Sequence, residues 1–114
     1  MKAPPMATYL FRAAYSNAAF AGMISSPSDR GPAIKALAKA GGLKVSNIYY
    51  CVSTGELVCI LEGTAEQLAA MCMVGLASGG VTAFNTQELV STATMHKAMT
   101  TAGKISGKYQ APNK

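Results

Sequence analysis

Two apolar runs with a short break between them constrain this chain most. Residues 43–62 read LKVSNIYYCVSTGELVCILE. Runs of this length, rich in Val, Ile, Tyr and Leu and broken by a turn bearing glycine, predict a β-hairpin with its turn at Ser53-Thr54-Gly55. The second run, Leu57-Val58-Cys59-Ile60-Leu61, shows no polar alternation. A strand of that kind needs cover on both faces. A chain of 114 residues can cover one face with its own helices, and the other face requires something else.

The remaining segments arrange themselves around that hairpin. Ala7 to Ala14 predicts a first strand, with Tyr9, Phe11 and Ala13 on one face and Thr8, Leu10 and Arg12 on the other. Residues 15–27 give a weaker signal, a helical turn or two before Pro27. Ser28 reads as an N-cap with Asp29 in the first turn, and the helix runs to about Ala40 with Ile34, Leu37 and Ala38 inward. Thr64 followed by Gln67 is a capping box. It opens a helix that places Leu68, Met71, Cys72, Gly75 and Leu76 on one side. Val81 to Leu89 predicts a fourth strand. A short terminal helix begins near Thr92, with Met95, Ala98, Met99 and Ala102 together.

This order predicts an α+β domain: a ferredoxin-like βαββαβ antiparallel sheet with helices on one face, plus a C-terminal helix. Residues 1–6 read as a flexible lead-in, 7–102 as the domain, and 103–114 as a flexible basic tail. The bare sheet face would expose several hundred Å2 of apolar surface, more than a monomer usually tolerates. Pairing two sheets into a dimeric α/β barrel removes that exposure, so a homo-oligomer is expected.

Composition narrows the function classes. Half the residues are hydrophobic and 13% are charged, which describes a globular chain. The net charge of +5 suggests nucleic acid until its location is read. Lys2, Lys104, Lys108 and Lys114 lie outside the domain, whose own balance is near +1. Nucleic acid is therefore not an expected partner. Three cysteines without a Cys-x-x-Cys fit a reducing compartment. With no signal-like start and no run of about 20 apolar residues, the expectation is a cytoplasmic protein with no membrane partner.

Few residues carry chemistry. Arg12, mid-strand, must be paired or bind an anion if its face is covered, and Glu88, Asn85 or Gln87 on the fourth strand are its candidate neighbours. Glu56 at the mouth of the third strand is either a pocket base or an exposed hairpin-end carboxylate. Tyr49 and Tyr50 point to opposite faces, one toward the helices and one toward a partner. Arg12, Tyr49, Tyr50, Glu56, Asn85 and Gln87 together form the candidate pocket, with catalytic roles unassigned. Cys51 and Cys59 would face each other if three residues form the turn. They have no ligand-like spacing to His96, so no metal is expected. Gly41-Gly42 and Gly79-Gly80 read as helix stops, not phosphate cradles, and no cofactor is implied.

Several stretches resemble one family. Met6-Ala7-Thr8-Tyr9-Leu10-Phe11-Arg12, Ser26-Pro27-Ser28-Asp29-Arg30, Gly41-Gly42-Leu43-Lys44-Val45, Tyr49-Tyr50 and Leu76-Ala77-Ser78-Gly79-Gly80 resemble the GYD domain family over about residues 6–102. The resemblance implies a small ferredoxin-like domain that forms dimeric barrels and has no assigned biochemical role. At the family's own signature this chain departs. Ser53-Thr54-Gly55-Glu56 stands there, with Gly55 in place of the tyrosine and Glu56 in place of the aspartate.

Three readings of function follow. The first is a self-associating α/β module, with a small-molecule ligand as a further option. The second is a cofactor-free enzyme resembling barrel monooxygenases and decarboxylases in fold alone, its substrate between sheet and helices near Arg12, Glu56 and a tyrosine. The third is a regulatory partner acting through the basic tail.

Overall fold

The computed structural model describes residues 6–113. All but Met6 of the expected lead-in, and Lys114 of the tail, lie outside the described residues. Nine elements follow in order: β1 (Ala7–Tyr15), α1 (Asn17–Ser25), α2 (Gly31–Ala40), β2 (Lys44–Cys51), β3 (Glu56–Gly63), α3 (Ala65–Ala77), β4 (Val81–Leu89), α4 (Thr92–Ile105) and a 3-10 turn at Ser106–Lys108. The strands form one antiparallel sheet in the order β2-β3-β1-β4. The protein is thus α+β with an open four-stranded sheet, an order compatible with the ferredoxin-like fold.

Strand alternation decides which side is buried. Phe11 and Ala13 of β1 and Leu57, Cys59 and Leu61 of β3 lie in one core with Ile34 and Ala38 of α2 and Leu68 and Met71 of α3. Cys59 and Leu61 are fully buried. The other sheet face carries Leu10 and Arg12 on β1 and Val58 and Ile60 on β3, all half-buried. Among the described residues, the strand expected to be covered twice has a core against one face.

Local chemistry explains the helix starts. The Thr64 hydroxyl accepts from Gln67 N at 3.2 Å while Gln67 Oε1 accepts from Thr64 N at 2.9 Å, the reciprocal box that opens α3. Ser16 caps α1, accepting from Ala19 N at 3.0 Å, so the weakly patterned 15–27 stretch contains a nine-residue helix. The expected cap at Ser28 is not used. Asp29 Oδ1 instead accepts from Gly31 N at 2.9 Å, and α2 begins after Arg30 with no side-chain cap. Proline near the α2 start makes a cap less needed there, since it brings no orphan N–H.

Three further readings are corrected. β2 pairs with β3 so that Cys51 opposes Glu56 and Ile48 opposes Cys59, because the turn spans four residues, Val52 to Gly55, and not three. The two cysteines therefore lie on opposite sheet faces. Leu76 of α3 is exposed, although Gly75 beside it packs against Phe84 of β4. The terminal helix is longer than expected and runs through Ile105.

α4 stands apart from the domain. Each of its residues is exposed, and only the 3-10 turn that continues it packs against it extensively. The Cα radius of gyration is 18.3 Å, against about 13 Å for a compact domain of this length, and the longest extent is 59 Å.

Candidate functional site

The helix side of the sheet is not filled. α1 buries none of its residues: it is built from Ala18, Ala19, Ala21 and Gly22 with a few larger side chains, and small residues cannot reach across to the sheet. The result is a cleft of about 460 Å3 between α1, the end of α3 and the sheet, floored by Phe11, Leu57, Met71 and Phe84. Phe11 and Phe84 pack with ring centroids 5.1 Å apart at 42°, giving that floor an aromatic step. A second lobe of about 650 Å3 adjoins it toward β2 and is lined in part by Phe20, Ile48 and Tyr50.

Tyr15, Ser28 and Arg30 line both lobes. Tyr15 ends β1 beside a register shift between Ala14 and Tyr15, and its ring meets Phe20 edge-on at 5.7 Å. Burial pushes the Tyr15 phenol up, and the neighbouring Arg30 guanidinium works against that rise. Asp29 lines only the second lobe, where its carboxylate accepts from Gly31 N. Among the described residues lining the first lobe there is no Asp, Glu or His, and Arg30 is its single charge.

The residues singled out from sequence fall on two sides of the sheet. Arg12, Tyr49, Glu56, Asn85 and Gln87 share the uncovered face, as their register with Val58, Ile60 and Leu10 requires. Arg12 Nη1 lies 3.8 Å from Glu56 Oε1. The carboxylate beside Arg12 thus comes from β3, whereas Glu88 pairs with Tyr9 on the helix side. Asn85 sits directly opposite Arg12 in the ladder. A substrate held between sheet and helices would therefore lie across the sheet from Arg12 and Glu56. By register Tyr50 alone among the six is on the helix side; it lines the second lobe, whose rim Tyr49 also touches from the edge strand. A Cβ at Gly55 would sit 3.5 Å from the Tyr50 hydroxyl. Neither tyrosine is packed: Tyr49 is 63% and Tyr50 52% exposed, because β2 is an edge strand.

Sequence reasoning missed Tyr15, Phe20 and Arg30. The available signal was the run of small residues after Tyr15, a helix unable to fill the space beside an aromatic side chain. Among the described residues no group of three or more His, Cys, Asp or Glu could hold a metal, and no helix is long and apolar enough to cross a membrane.

Comparison with known proteins gives no relative: no family model, curated protein or solved structure matches this chain.

Proposed function

We propose that the protein is a self-associating α/β module whose uncovered sheet face is its assembly surface and whose occupant there is a second copy of the chain. The observation that carries this reading is the pairing of two unpartnered apolar features in one chain. Leu10, Val58 and Ile60 form an apolar centre on the open face, and α4 holds Met95, Met99 and Ile105 out to solvent at 51–59% exposure. An amphipathic helix with no core to face gains most of its stability from packing it does not have here.

Charge on the open face favours a like partner. Arg12, Lys44, Glu56 and Glu62 share that face by register, and they sum to zero. Two copies meeting about a twofold axis do not repel, and each cation can meet an anion of the other. Burying the face and the α4 stripe together covers both unpartnered apolar features. A dimeric α/β barrel is the closure that satisfies both.

Sedimentation or light scattering across about 1–100 μM tests this, on the scale at which dimers of micromolar affinity dissociate. The parent chain should associate, and Ile60→Glu should give a folded monomer. A parent that stays a folded monomer throughout overturns the reading.

A further inference from the structure

We propose that the first lobe of the cleft is a binding site for a small amphiphilic monocarboxylate, its apolar body on the Phe11–Phe84 floor and its carboxylate on Arg30. This inference goes beyond self-association and does not rest on it, since the cleft opens on the helix side and the assembly face is the other side of the sheet.

Three observations converge on that ligand class. The volume, about 460 Å3, lies within the range of small-molecule pockets. The walls are apolar, with Ile34 and Leu37 of α2 and Met71 and Val74 of α3 facing the sheet residues Leu57 and Phe84. The charge is one-sided. Arg30 makes no ion pair among the described residues, its side chain hydrogen-bonds the Tyr15 phenol, and the other polar side chains lining this lobe are the neutral Ser26, Ser28 and Ser78. A guanidinium flanked by neutral donors at the rim of an apolar cavity fits a planar anion with a hydrocarbon tail. A cationic ligand would meet Arg30 with no acid in the lobe to offset it.

The fold also offers a way to close the site without disturbing it. Gly22 of α1 lines the cleft, and a Cβ there meets nothing within 4 Å. Gly22→Leu puts a side chain into the cavity while replacing a helix-interior glycine with a good helix former. Binding is lost by occupation, not by unfolding.

The experiment titrates the 15N-labelled full chain with decanoate and, separately, with decanol, up to about 1 mM, the weak end of specific affinity. Decanoate should give saturable shifts at the amides of Gly22, Gly75 and Gly80, with the amides of Asn85 and Gln87 on the other face unmoved. Gly22→Leu should weaken decanoate at least tenfold with no fall in Tm. Arg30→Ala should weaken decanoate about tenfold and leave decanol unchanged. Absence of saturable shifts, or a Gly22→Leu chain that binds as the parent does, overturns the site. Equal loss of decanoate and decanol in Arg30→Ala overturns the assignment of the carboxylate to that residue.

Discussion

Arg12 Nη1 stands 3.8 Å from Glu56 Oε1, on adjoining strands and two ladder positions apart on one face. The register opposes Arg12 to Val58, so Glu56 is its diagonal neighbour, a spacing long side chains can bridge. With the two side chains 33% and 25% exposed, water still screens the pair in a single chain. A double-mutant cycle with Arg12→Ala and Glu56→Gln, measured by urea unfolding of dilute protein, should give a coupling of about 0.5 kcal/mol. Salt at about 1 M should erase most of it. Under the proposed assembly a second copy covers the face and removes that screening, so the single Glu56→Gln change should cost more in concentrated protein than in dilute protein.

The three thiols should separate sharply in reactivity. The hydroxyl of Thr54, then its backbone N–H, with Ser53 adding to both, hold the Cys51 thiolate and bring its pKa from 9.0 down to about 7. Burial raises Cys59 to about 11 and moves Cys72 upward as well. Iodoacetamide at pH 7.5 should therefore label Cys51 first, as read by peptide mass spectrometry. The labelling rate should have its midpoint near pH 7, and Thr54→Val should shift that midpoint up. Cys72 labelling ahead of Cys51 would contradict the assignment.

Cys59 sets an alkaline limit on stability. In the unfolded chain its thiol ionises around 9.0 and in the fold around 11. The neutral thiol is what the core accepts, so this contribution is complete below pH 9 and disappears as pH climbs through 11. Two pH units correspond to on the order of 2–3 kcal/mol. Cys59→Ala should cost about 1 kcal/mol at pH 7. Its stability should then fall less steeply than the parent's between pH 9 and 11, measured by denaturant midpoints across that window.

Two glycines should respond to alanine with opposite signs. Gly42 holds φ +83° at the exit of α2, and a Cβ there would press on the Gln67 side chain that completes the α3 capping box. Gly42→Ala should lose about 1–2 kcal/mol from the left-handed backbone and the disturbed cap together. Gly22→Ala, in a helix interior with open space around it, should gain about 0.5–1 kcal/mol. Thermal unfolding of the two variants side by side checks the contrast.

What could be read from the chain was what nearest neighbours decide. Thr64 and Gln67 sit three apart and cap each other wherever the helix goes, and the hydrophobic alternation of Phe11 and Ala13 named the buried face of β1. Distances set by several residues at once were harder. A turn one residue longer than expected moved Cys51 opposite Glu56 and away from Cys59. Arg12 found its carboxylate on β3 because strand order, not sequence distance, selects neighbours. The cleft was hidden for a different reason: it is made by side chains that are too small, and periodicity marks where bulk is present. Arg30 belonged to a stretch read for its caps, so its charge was not connected with Tyr15.

α4 carries one more consequence. A lone helix of 14 residues is marginal in water, and among the described residues this one packs extensively only against the 3-10 turn that continues it. On the assembly proposed above, its winding is tied to encounter with a second copy of the chain. Far-ultraviolet circular dichroism would register that encounter directly: on serial dilution, the ellipticity near 222 nm should decline by the share that this one segment supplies, while the sheet persists. On that reading the arm is a built-in gauge of company.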